Sequence, residues 1–187
     1  MELYKNDKLF KEAIGAFIIA SSEMEFAITS LCSIIGEDPR FHQQQFIDIF
    51  GMTLTDKREL VGKFIKTHLP ELKKEWININ VEIGQINSDR RRLVHGFTQY
   101  FLPQEYIETF VKNKKSGKVE KKHFTVEDIK LLTNKIQHIN TGKNGIFGEF
   151  HTKLFVARIN LWNCKVESKM RMIYSVRDEI LTDWKGN

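Results

Sequence analysis

Proline is scarce in this chain, three in 187 residues at positions 39, 70 and 103, and so few helix breakers leave room for long helices. Cysteine is scarcer still. Cys32 and Cys164 stand far apart with no second thiol beside either, a pattern that fits neither a disulfide framework nor a zinc knuckle. Both are expected to be reduced and buried. The six histidines, His42, His68, His95, His123, His138 and His151, never fall at the short spacings that put two imidazoles on one metal, so no metal is expected. Long apolar runs are missing as well. The longest uninterrupted one, Ala16 to Ala20 with Ala13, Ile14 and Gly15 before it, is far shorter than the about 20 residues of a bilayer crossing, and no transmembrane helix is expected. The first residues, Met1 to Lys11, mix both charge signs and lack the basic-then-apolar layout of a secretion signal. A cytoplasmic location is the expectation.

What the chain does have is enough apolar residue, 41%, to build a core, which excludes a disordered protein. Its length suits one domain, taken here as residues 1–187. Lysine and arginine number 29 against 24 acidic residues, a net charge of +5, and this mild excess favours a polyanionic partner without naming it.

Periodicity predicts a mostly α, helical-bundle fold with one β interruption. A first helix is predicted from about Asp7 to Ile35 with a seam of Leu9, Ala13, Ala16, Ala20, Met24, Ala27, Leu31 and Ile34. A short helix follows around Phe41 to Phe50, and Thr55 is placed as the cap of the next, which carries Leu60, Val61, Phe64 and Ile65. Pro70 opens a long helix with the seam Leu72, Trp76, Ile79, Ile83, Ile86, position 90, Leu93 and position 97. A hairpin insertion at about 98–124 pairs Tyr106–Lys112 with Lys118–Phe124 around a long turn. Thr125 and Asp128 form a capping box for a helix ending near Gly142. A C-terminal helical extension spans about 146–185, with a break near Asn160 to Asn163.

Position 90 of the long seam is an arginine. A guanidinium on an apolar stripe must snorkel out or meet an anion, and patterns break preferentially at working sites. Arg90 lies within the densest polar stretch, Asn87-Ser88-Asp89-Arg90-Arg91-Arg92-Leu93-Val94-His95-Gly96, and begins its last seven residues. Imidazole can move protons near neutral pH and guanidinium offers a donor fork for phosphate, so the pair supplies the minimum for phosphodiester cleavage without metal. On an ideal helix Arg91 shares the face of His95 and Arg90 does not, so spacing alone leaves open which arginine works with the histidine. Two plainer readings stand beside this one: an arginine paired with a neighbouring carboxylate, and a histidine whose charge suits a helix C-terminus.

Those seven residues resemble the R-x4-H signature of HEPN domains, often written Arg-Asn-x-Leu-Val-His-Gly, which lies late in a long helix of an α-bundle. The first helix is also similar, in Ile18-Ile19-Ala20-Ser21-Ser22-Glu23-Met24-Glu25-Phe26. The resemblance implies a homodimer in which two motif copies form a metal-independent, cofactor-free endoribonuclease of a bacterial toxin or antiviral defence kind. In it Arg90 would hold the scissile phosphate and His95 would assist attack by the ribose 2′-hydroxyl. Arg91 and Glu25 are the supporting candidates, although Arg91 stands where asparagine or a small polar residue is usual. Members paired with a nucleotidyltransferase antitoxin carry tyrosine two residues after the histidine. Here that residue is Phe97, so modification by such an antitoxin is not expected at this position, while some other protein antitoxin remains a candidate partner. Lys114, Lys115 and Lys118 at the hairpin turn could follow an RNA backbone, with Tyr100, Phe101, Tyr106, Phe110 and Phe124 as candidate base-stacking groups. The alternatives are a non-catalytic HEPN-like dimeric module that binds RNA, a nucleotide or a partner protein, and a purely structural protein in which Arg90 and His95 serve an interhelical ion pair.

Overall fold

Among the described residues, apolar residues at helical spacing produce five long α-helices: α1 (Glu2–Ile34), α2 (Leu54–His68), α3 (Lys73–His95), α4 (Val126–Thr141) and α5 (Glu149–Lys185). Three strands lie between α3 and α4: β1 (Phe97–Phe101), β2 (Tyr106–Lys112) and β3 (Val119–Thr125). The computed structural model describes residues 2–36, 47, 49–101, 105–113, 117–141, 146 and 148–185. Residues 41–46 and 48 of the expected short helix lie outside the described residues; Ile47, Ile49 and Phe50 are helical and Gly51 is in a turn.

α1 is the central helix and lies against α2, α3, α4 and α5. Its buried side chains include Phe10, Ala13, Phe17, Ala20, Met24, Ala27, Ile28 and Leu31. The expected seam is therefore corrected at its start, where Leu9 and Ala16 face outward and Phe10 and Phe17 face in. The reason is area: a phenylalanine ring removes far more apolar surface from water than alanine, so the helix rotates to bury the rings. α2 contributes Val61 and Ile65, α3 contributes Trp76, Ile83 and Ile86, and the sheet contributes Ile107 and Phe124 to the same core.

Contrary to the expectation from uninterrupted runs, Asp7–Ile34 is long and apolar enough to cross a membrane, with an 18-residue window of mean hydropathy 1.4. Small and hydroxyl residues interrupt its runs while leaving its average high. Of its most apolar window, 61% is buried within this chain, which is the condition of a core helix.

Capping places the other helices. Thr53, not Thr55, begins α2: its hydroxyl accepts from the Asp56 amide at 3.2 Å and donates to the Asp56 carboxylate at 2.7 Å. Thr55 lies past the cap in the first turn, and the Lys57 amide two residues on already donates to Thr53 O at 3.0 Å. The expected box at α4 is present, with Asp128 N donating to Thr125 Oγ1 at 3.1 Å and Thr125 N to Asp128 Oδ2 at 2.9 Å. A 3-10 turn, Pro70–Leu72, precedes α3.

The β region is a three-stranded antiparallel sheet of order β1-β2-β3 rather than a lone hairpin. β1 begins directly after Gly96 and pairs Phe97 with Phe110, filling the edge of β2 that β3 leaves open. That is the physical reason for the third strand, since an unpaired strand edge exposes backbone donors and acceptors. The β2–β3 turn closes through Asn113 N to Lys118 O at 2.8 Å, with Gly117 at φ 69°, a conformation glycine adopts without strain.

α5 runs unbroken through Asn160 to Asn163, so the expected break is absent. Its first turns bury Phe150 against Trp76, ring centroids 5.8 Å apart, and its Arg158 Nε donates to Gly36 O at 3.2 Å beyond the end of α1. From Asn163 to Arg171 every residue is exposed as α5 leaves the bundle. Cys164 lies on this exposed stretch, so only Cys32 of the two cysteines is buried.

The corrected seam predicts a sharp asymmetry. Phe17→Ala should cost about 3–5 kcal/mol in denaturant unfolding, whereas Leu9→Ala, on the outer face, should stay within about 1 kcal/mol; similar losses for both would restore the original seam.

Candidate functional site

Glu25 sits on α1 beside the buried Met24, and its carboxylate faces two other helices. Oε1 lies 3.4 Å from Lys57 Nζ on α2, and Oε2 accepts from Arg90 Nη2 on α3 at 3.0 Å. The Lys57 side chain is 1% exposed, that of Arg90 23% and that of Glu25 30%. Lys57 Nζ also donates to Phe50 O at 3.3 Å. One carboxylate therefore meets two cations and leaves a surplus positive charge in a half-buried place. Beneath it, Cys32 Sγ donates to Lys57 O at 3.3 Å. Burial pushes the Cys32 thiol up to about 12, against the opposing pull of the Lys57 ammonium, which makes it a packing group and not a nucleophile.

This geometry brings together two expected residues, Arg90 and Glu25, and adds one that the sequence reading missed. Arg90 does meet an anion on its apolar seam, and the anion is a neighbouring carboxylate. Lys57 carried the same signal as Arg90: Leu54, Lys57, Val61 and Ile65 are the buried residues of α2, spaced three and four apart, with a cation on the stripe.

At the end of α3 successive side chains are about 100° apart, and the three arginines go three ways. Arg90 turns to α1. Arg92 turns to the sheet, where Nη2 donates to Glu120 Oε2 at 2.5 Å while Nη1 is buried without a partner among the described residues. Arg91 is exposed and makes no hydrogen bond or ion pair among the described residues, so the support expected of it for His95 is not seen. Asp89 adds a second tie to the sheet through Lys122 Nζ at 2.5 Å.

His95 is the last residue of α3 and is exposed. Gly96 then lets the chain turn into β1: a Cβ there would lie 2.3 Å from Arg92 O, closer than atoms can approach without the backbone moving, and a tight 3.3 Å from Phe110 O. The glycine after the histidine is thus required by the way the chain leaves the last turn of α3, past the Arg92 carbonyl.

The hairpin lysines divide. Lys118 is exposed, and Lys114 and Lys115 lie outside the described residues. Lys121 is 3.7 Å from Glu108 and Lys122 is held by Asp89, so neither stands unpaired along a phosphate path. Phe124 is buried in the core and Tyr106 stacks on His123 at 4.6 Å, while the side chains of Tyr100 and Phe101 lie outside the described residues. Phe110 is half-buried beneath Lys121 Nζ, 5.2 Å from its ring centroid. Among the described residues no group of three His, Cys, Asp or Glu side chains could hold a metal ion.

No protein-family model, curated protein or solved structure matches this chain.

The Glu25 junction predicts non-additive stability. Glu25→Ala strands the buried Lys57 ammonium and should cost about 1–3 kcal/mol. In a Lys57→Met background, where that ammonium is gone, the same substitution should cost less, with a coupling of about 0.5–3 kcal/mol in chemical denaturation. Strict additivity would mean that the carboxylate does no structural work.

Proposed function

We propose that this chain is a HEPN-like, metal-independent endoribonuclease of a bacterial toxin or antiviral defence type, acting on RNA in the cytoplasm as a homodimer. One observation carries the reading: Glu25 fixes Arg90 near the end of α3, five residues before His95 on the same helix. A guanidinium held by a carboxylate through one nitrogen keeps other N–H donors for a phosphate. His95, exposed at the helix end, would take the proton of a ribose 2′-hydroxyl as its oxygen attacks the neighbouring phosphorus. The bond to the 5′-oxygen breaks, that oxygen takes a proton, and the products are a 2′,3′-cyclic phosphate and a 5′-hydroxyl end.

The dimer is supported by an apolar surface bordering this place. Ile18, Ile19 and Phe26 are exposed on the flank of α1 that carries Glu25, and Val94 is exposed beside His95. Such a patch marks an interaction surface, and a second copy docked there about a two-fold axis would bring two Arg90–His95 pairs to one cleft. A protein antitoxin would have the same surface to cover.

The second reading, a non-catalytic HEPN-like module that binds RNA, a nucleotide or a partner protein, is favoured by a different observation. His95 has no hydrogen-bond or ion-pair partner among the described residues to fix its ring, and efficient general bases are held in place.

The tests separate the two. Static light scattering should return twice the 22.0 kDa chain mass. His95→Ala and Arg90→Ala should each slow RNA cleavage by roughly a hundred to ten thousand fold, with helical spectrum and dimer mass unchanged; chelators should have no effect and Arg91→Asn should be tolerated. RNA left intact by the wild-type dimer moves the assignment to the binding module, and a monomer removes the shared cleft and with it most of the case for catalysis. For RNA binding itself, changing Lys114, Lys115 and Lys118 together to alanine should flatten the salt dependence; an unchanged slope would remove the hairpin tip from the phosphate path.

A further inference from the structure

On the far side of α3 from Glu25, a groove of about 420 Å³ runs between the helix and the β2–β3 hairpin. Its volume falls within the roughly 300–1,000 Å³ of small-ligand sites. Arg91, Arg92 and Lys112 line it against a single carboxylate, Glu120, with Asn87 and Asn113 completing the polar wall. Three cations against one anion leave two positive charges over.

The anion already present is fully engaged. Glu120 Oε2 accepts from Arg92 at 2.5 Å and Oε1 from Asn113 Nδ2 at 2.7 Å, and these donors hold its carboxyl below the usual carboxylate range. Its repulsion of a second anion is correspondingly muted. Two sets of donors remain. Arg92 Nη1 is buried with no partner among the described residues, and a guanidinium N–H out of water and unbonded costs free energy until something accepts from it. Arg91 presents a whole fork with no acceptor among the described residues.

We infer that this groove binds a phosphate monoester, with Arg91, Arg92 Nη1 and Lys112 as its donors. The charge selects the ester class. A monoester carries close to two negative charges at neutral pH, because its second ionisation lies near pH 6, and so neutralises the two surplus cations; a backbone diester, with one charge, does not. The side chain of Asn87 offers an amide edge to whatever the phosphate carries, which fits a nucleotide. Such a monoester comes from either a free mononucleotide or the 5′-phosphorylated end of an RNA. The site stands apart from cleavage at Arg90 and His95 and gives Arg91 a role that the motif resemblance leaves unexplained.

Titration calorimetry on the full-length protein tests it with ligands that cannot be cut. Adenosine 5′-monophosphate should bind, and adenosine should bind at least about tenfold more weakly. Arg91→Ala and Lys112→Ala should each weaken the monophosphate by about tenfold, the scale of one lost charge-assisted hydrogen bond. His95→Ala should leave it unchanged, so that failure of the ribonuclease reading does not disturb the result. Two 2′-O-methyl octamers, one with a 5′-phosphate and one with a 5′-hydroxyl, separate the sources. A phosphorylated octamer that binds tighter than both the mononucleotide and its hydroxyl twin makes the site an RNA-end site; a mononucleotide that binds as tightly as the phosphorylated octamer makes it a nucleotide site. Equal binding of adenosine and its monophosphate, absence of binding, or full affinity in Arg91→Ala would overturn the assignment.

Discussion

A single carboxylate, that of Glu25, lies between two cations from two other helices, and the relation of α1, α2 and α3 turns on it. Lys57 is almost wholly buried, and an ammonium removed from water is tolerable only where charge and hydrogen bonds replace its hydration. Glu25 supplies the charge and the Phe50 carbonyl supplies a hydrogen bond. The second oxygen of Glu25 then reaches Arg90 at the far end of α3. Moving any one helix by more than a fraction of a hydrogen-bond length would strand a buried or half-buried ion. The junction therefore sets direction more than it adds stability: buried ion pairs of this kind often contribute little net free energy, while breaking them is costly.

The same helix end carries a second constraint on its other face. Arg92 and Asp89 reach Glu120 and Lys122, so the sheet is tied to α3 by two ion pairs of opposite polarity. Gly96 lets the chain leave α3 close past the Arg92 carbonyl and enter β1 directly. Each arginine of the triplet thereby has a different environment, although in sequence the three are interchangeable: Arg90 is neutralised at the core, Arg92 is half satisfied by the sheet, and Arg91 is left to solvent and the groove.

Much of this was legible in the residues. The long α3 seam, the Thr125–Asp128 box and the β2–β3 pairing follow from spacing and turn chemistry. Three errors have physical causes. On α1 two registers of small and large apolar residues compete, and ring area decides for Phe10 and Phe17 over Leu9 and Ala16. At α2, Thr53 and Asp56 repeat the spacing of Thr125 and Asp128, so the correct cap was available and Thr55 was the wrong choice within it. β1 is rich in β-formers, Phe97, Thr98, Tyr100 and Phe101, but whether such a run pairs depends on a free strand edge, which is a tertiary fact. At the site, Arg90 was found because it interrupts an apolar stripe. Lys57 was missed on α2 although it does the same, since a surface lysine and a buried one look alike until their partner, here Glu25 on a distant helix, is known.

The burial of these charges bears on where an anion would go. At Glu25 two cations share one carboxylate, and all three groups are at least two-thirds buried. An incoming phosphate there would displace little water and would meet only the Arg90 donors that Glu25 leaves unused. In the α3–hairpin groove the cations exceed the carboxylate by two, and that carboxylate is already saturated by Arg92 and Asn113. An incoming anion there competes with water alone. Coulombic attraction in water is weak at such separations and grows as the surroundings become less polar, so the Glu25 side favours few, geometrically exact contacts and the groove favours charge. One helix end thus carries two electrostatic environments on its faces: a clamped cation at Arg90, and a surplus of cations around Arg91.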